Sequence, residues 1–127
     1  MNNEVFGEVK FNTGWETTTS ITYNKKEYSI VVSADAYFEK EGITKEQEIS
    51  YADFKLHKSE ILGEIEEKIN DNKYIPALLL IKRDGSYGLI FDDKQDVEGG
   101  VVVTIKPKME ICLLYTSDAA DEARSVD

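Results

Sequence analysis

Apolar and polar positions along this chain alternate with two different periods, and the change of period marks its organisation. Residues 15–23, WETTTSITY, alternate strictly, with Trp15, Thr17, Thr19, Ile21 and Tyr23 on one side and Glu16, Thr18, Ser20 and Thr22 on the other. A period of two with β-branched and aromatic residues predicts a strand with one wet face. Residues 28–36 repeat the pattern, with Tyr28, Ile30, Val32 and Ala34 facing inward, and the polar residues 24–27 between them predict a hairpin. A short strand over 5–11 precedes them, ended by the turn residues Asn12, Thr13 and Gly14.

The period then becomes helical over 44–70. Thr44 and Gln47 form a capping-box pattern, and Gln47, Tyr51 and Phe54 recur at four and three. Ile61, Leu62, Ile65 and Ile69 make a second apolar stripe. His57, Lys58 and Ser59 interrupt the two, so either one helix kinked there or two short helices are expected, with Ser59 as a second N-cap. Gly63 costs roughly 1 kcal/mol against Ala in an exposed helix, which makes it an expected point of close packing. Beyond Asn70-Asp71-Asn72, Pro76 opens ALLLIK, apolar on both faces and therefore expected at the centre of a sheet. Arg83-Asp84-Gly85-Ser86 predicts a hairpin turn, since Asp-Gly suits positive φ. Strands over 87–91 and 101–106 follow, the second ended or edged by Pro107. The expected fold is α+β. An antiparallel sheet of about six strands, β-β-β-α-α-β-β-β, is covered on one face by one kinked helix or two short helices.

The last sixteen residues change the boundaries. Residues 112–127, CLLYTSDAADEARSVD, closely resemble the conceptual translation of a tagmentation adapter used in short-read sequencing. The reading frame agrees on both sides of the variable index, which falls across Glu122 to Ser125. Residues 1–111 are accordingly expected to form one domain, truncated at its C-terminal side, with 112–127 a non-native and disordered tail. Cys112, the only cysteine, leaves the native inventory with that tail.

Charge narrows the function classes. The formal charge is -10, and residues 1–111 alone carry -7. Neither nucleic acid nor an anionic membrane surface is an expected partner, since both require a basic footprint. A basic protein is compatible. No apolar run approaches membrane-spanning length, and MNNEVFGEV has neither a basic nor an apolar signal region, so the bacterial cytoplasm is the expected location.

Candidate chemistry is sparse. Asp92, Asp93, Asp96 and Glu98 crowd four carboxylates into seven residues, the oxygen-rich kind of loop a hard cation takes, but the spacing fits no EF-hand and solvated loop acids explain it equally. His57 is the only histidine, and Ser59 beside it is better used as a cap, so no catalytic set forms. One histidine and no native cysteine exclude a zinc site, and no phosphate-cradling glycine loop is present. No catalytic residue and no cofactor are assigned. Trp15, Tyr37 and Phe38 lie near element ends, where an exposed aromatic could anchor a partner, although packing in the core or rim accounts for them too.

Trp15 opening a strand, the Tyr28 strand, the Gln47, Tyr51 and Phe54 face, ALLLIKRDGSYGLIFDD and GGVVVTIKPK carry a resemblance over about residues 5–107. The chain resembles a family of small bacterial α+β domains of unknown function, some met near polymorphic-toxin and immunity genes. The resemblance implies the fold far more than any function and supplies no catalytic residues. Together with the charge of -7 over residues 1–111 and the absence of a catalytic set, it makes a non-enzymatic protein-binding module, of the immunity kind, the expected function, with a basic protein such as a toxin domain as partner. The alternative is an accessory structural domain without a dedicated partner, and a carboxylate-based enzyme is the remote one.

Overall fold

The computed structural model describes residues 2–69, 73–95 and 99–114. A small two-stranded pairing, β1 (Asn2–Asn3) with β2 (Gly7–Glu8), stands apart from the main sheet. That sheet contains β3 (Lys10–Phe11), β4 (Gly14–Tyr23), β5 (Lys26–Asp35), β6 (Tyr74–Ile81), β7 (Tyr87–Asp93), β8 (Gly100–Lys106) and β9 (Glu110–Leu114), side by side in chain order. The helix α1 (Lys45–Ile69) joins β5 to β6.

The sheet differs from the expected one in two ways. It has seven strands rather than six, and it is mixed: β5 and β6 run parallel, with Val31 opposite Leu78 and Ala34 opposite Ile81. The reason lies in α1. Its 25 residues span about 37 Å, close to the roughly 33 Å length of a ten-residue strand. One such helix carries the chain back along the sheet, so the next strand must start at the end where β5 started. Two short helices folded back on each other would have returned it to the other end and given the antiparallel neighbour.

The break at 57–59 does occur, as a kink. His57 has φ -107° and ψ 16°, outside the helical region. Its Nδ1 lies 3.1 Å from the Asp53 carbonyl and 3.2 Å from the Asp53 carboxylate. Both partners are acceptors, so Nδ1 carries the proton, and the ring takes the i-4 carbonyl that the helix ladder would use.

The first predicted strand is likewise divided, into β2 and β3, with the buried Val9 between them. The β4–β5 hairpin closes on two residues, Asn24 and Lys25, both at positive φ, which matches the twist of the strands it joins. At the far edge, β9 pairs with β8 from Thr104–Glu110 to Gly100–Leu114. This ladder takes the sheet three residues past the domain boundary read from the sequence at 111; the rest of the adapter-like stretch, 115–127, lies outside the described residues.

One sheet face makes the core with α1. Ile30, Val32, Leu79, Ile81, Leu89, Phe91 and Val103 meet Phe54, Leu62 and Ile65 there, all 3% exposed or less. Fully burying each such side chain contributes about 1.5–3 kcal/mol before the entropy of ordering. Gly63 marks no close approach, since a Cβ there would meet nothing within 4 Å. The opposite sheet face has no helix over it among the described residues, and Val31, Leu78, Leu80, Ile90 and Val102 on it are only partly buried.

Candidate functional site

The end of the sheet where β5 and β6 finish side by side is where open sheets with parallel strands usually hold ligands. Here protein groups fill it. Gln47, fully buried, donates from Nε2 to the carbonyls of Asp35 (2.9 Å) and Ile81 (3.1 Å), the last residues of the two strands. Its Oε1 accepts the Thr44 N–H at 2.9 Å while its own N–H donates to Thr44 Oγ1 at 3.1 Å, so the predicted capping box forms. Ser50, also buried, donates from Oγ to the Gly85 carbonyl and holds the β6–β7 turn against the helix.

Arg83, in that turn, extends the polar cluster outward. Its Nη1 donates to the carbonyls of Asp35 and Gly42, each at 3.0 Å, and its own carbonyl accepts from Thr44 Oγ1 at 2.9 Å. The segment between Asp35 and Gly42 is thereby clamped at both ends. Within it, Glu41 Oε1 accepts the N–H groups of Tyr37 (2.7 Å) and Phe38 (3.0 Å), and the 3-10 turn Glu39–Glu41 closes on Gly42 at φ +66°. The Phe38 N–H holds the Glu41 carboxyl below its ordinary value, and the Tyr37 N–H, Arg83 and Lys40 act in the same direction.

The clamped segment presents two aromatic rings to solvent. Tyr37 is 83% exposed and Phe38 62%, with the Lys40 ammonium 5.9 Å from the Phe38 ring centroid. Trp15, the third candidate anchor, is in the core: it is 5% exposed and packs edge-on against Phe11 at 5.3 Å. Its place at the start of a strand suggested an accessible end, but its inward register and the cover of β3 bury it.

Of the carboxylate loop, only Asp92 and Asp93 lie among the described residues, and these two do not come together. Asp92 and Asp93 are consecutive on β7 and so point to opposite faces of the sheet. Asp93 is already engaged, pairing with Lys73 at 3.8 Å and accepting the Gln95 N–H at 2.8 Å. Asp96 and Glu98 lie outside the described residues. Among the described residues no group of three or more His, Cys, Asp or Glu could hold a metal ion.

His57 sits at the opposite end of the helix-facing surface, away from these acids. Its partner Asp53 lies near the hydroxyl of Tyr87, at the start of β7, and six residues of strand, about 20 Å, separate Tyr87 from Asp93. Burial, and then the Asp53 charge, push the Tyr87 hydroxyl up to about 12, which makes it a neutral donor rather than a nucleophile.

The uncovered sheet face carries, over Gly88, a hollow that sequence reading did not find. It measures about 380 Å³ and is lined by Leu80, Gly88, Ile90, Val102 and Thr104, while the ammonium of Lys106, which also borders it, reaches back to Ser50 of α1 at 3.4 Å. An isolated glycine inside a strand was the available signal.

Compared with protein-family models, with curated proteins and with solved structures, the chain finds no match in any of the three. Among the described residues no helix is long and apolar enough to cross a membrane.

Proposed function

We propose that this protein is a non-enzymatic binding module that engages another protein, of the toxin-immunity type, through Tyr37 and Phe38. The observation that carries the reading is their exposure on a backbone already fixed by Glu41 and Arg83. Large aromatic side chains dominate interface energetics, and a loop ordered before binding loses little entropy when a partner arrives. A purely structural role gives no reason for displaying two rings on a clamped segment. The acidic balance of the chain, -10 in total, favours a basic partner and speeds its encounter.

An enzymatic role has less support. The central polar cluster is saturated by internal hydrogen bonds, and the His57–Asp53 pair adjoins a hydroxyl that stays protonated. The test is affinity capture from bacterial lysate with the wild-type chain and with the double variant Tyr37→Ala/Phe38→Ala. A protein retained stoichiometrically by the first and lost from the second supports the reading. Equal retention by both would remove these rings from the interface.

A further inference from the structure

We propose that the outer edge of β4 is a strand-addition site for an extended basic segment of a partner protein, latched by Lys58. None of its residues belongs to the Tyr37–Phe38 segment, so the site stands or falls apart from that reading.

The edge is left open by the way the chain enters the sheet. β3 pairs with β4 only at Glu16 and Trp15, so residues 17–23 have β5 on one side and no strand on the other among the described residues. The β4–β5 hairpin closes at Tyr23 opposite Lys26, which makes the odd-numbered residues of β4 the ones that bond to β5. Thr18, Ser20 and Thr22 therefore turn their N–H and C=O groups outward. One of these carbonyls is already in use: Ser20 accepts the Lys58 ammonium at 3.0 Å. Two hollows lie end to end along this edge, where a further strand would run. One, of about 290 Å³, borders Glu8, Glu16 and Thr18, and the other, of about 230 Å³, borders Ser20, Thr22, Lys58 and Ser59.

The surroundings select the occupant. Glu8 and Glu16 line the first hollow and Glu27 the second, and none of the three is in an ion pair among the described residues. Against them stand Lys10 and Lys58, the latter with its ammonium on Ser20. Glu16, Thr18, Ser20 and Thr22 share one sheet face, and Glu27 opposes Thr22 on it, so an added strand presents every second side chain to these carboxylates. Its other side chains turn toward α1, where Ile21 and Leu62 border the hollow. A segment that alternates basic and β-branched residues matches both sides. Lys58 is the kind of charge that keeps a bare edge from pairing indiscriminately. Its bond is exposed to solvent, so an incoming N–H can replace it at the same carbonyl at little cost.

The experiment is a titration of the ¹⁵N-labelled chain with the peptide acetyl-KVKVKVK-amide, followed by amide NMR. Two analogues run in parallel: one with every Lys replaced by Glu, and one N-methylated at every residue, which keeps charge and length but donates no backbone hydrogen bond. The first peptide is expected to give saturable shifts centred on Thr18, Ser20 and Thr22, and both analogues to give none. Lys58→Ala bares the Ser20 carbonyl and removes a repelling charge, so it should tighten binding about fivefold. Ser20→Pro removes an outward N–H that β5 does not use, so the sheet should hold while binding is lost. Equal binding by the N-methylated or the acidic peptide, shifts centred away from β4, or a Lys58→Ala chain that binds no more tightly would each overturn the proposal.

Discussion

The amide of Gln47 is hydrogen-bonded to the carbonyl of Asp35 at 2.9 Å, fixing the start of the helix to the end of the strand that precedes it. The same nitrogen reaches Ile81 at the end of the parallel neighbour, so one side chain holds three elements in register. Gln47→Leu keeps the volume and removes these bonds, leaving the Ile81 carbonyl buried and the Thr44 N–H half-buried without that partner. A loss of about 2–3 kcal/mol is expected, read from urea unfolding at neutral pH.

Half of that role was legible in the sequence. Thr44 with Gln47 is a recognisable capping box, and it forms as expected. The long-range half was not, because nothing local distinguishes an amide that only caps from one that also receives two strand ends. The parallel pairing escaped for a related reason. Polar residues at 57–59 read as a joint, yet the helix merely kinks at His57 and continues, and that continuity decides the direction of β6. Burial of Trp15 depended on β3 and Phe11 crossing beside it, a tertiary fact that alternation in 15–23 cannot contain. Tyr37 and Phe38 were visible as candidates by their place after a strand, but the clamp that exposes them needs Arg83, nearly fifty residues on from Asp35.

Gly63 should be replaceable with gain. It is helical and faces open space, so Gly63→Ala removes backbone freedom from the unfolded chain without a clash. An increase of about 0.5–1 kcal/mol in unfolding free energy is expected, again by urea titration. A decrease would show that the position is more crowded than its surroundings indicate.

Tyr87 makes stability fall at alkaline pH. Its hydroxyl ionises at about 12 in the fold against 10.0 for an unperturbed tyrosine, so the folded state holds that proton more tightly. The contribution is fully present below pH 10 and is lost as pH rises from there through 12. Two pH units correspond to about 2–3 kcal/mol. Unfolding measured between pH 9 and 12 should show the decline, and Tyr87→Phe should flatten it.

Glu41 governs the aromatic loop at the acid side. Its carboxyl is held below its ordinary value of 4.5 by the Phe38 N–H and then the other groups around it, so the pinned form is fully present above pH 4.5 and is lost as pH falls through the lowered value. The Tyr37 and Phe38 amide resonances should therefore titrate together, below pH 4.5, in an acid NMR series. Glu41→Gln keeps acceptors in place but should remove that shared titration.

The most direct measurement is calorimetric titration of the captured partner with the wild-type chain and with Phe38→Ala. Phe38 is 62% exposed, so its truncation should leave the melting temperature unchanged. Binding should weaken by about 2 kcal/mol, roughly thirtyfold, the scale of an interface anchor. An affinity within about twofold of wild type, with the fold intact, would contradict the assignment of this loop as the binding surface.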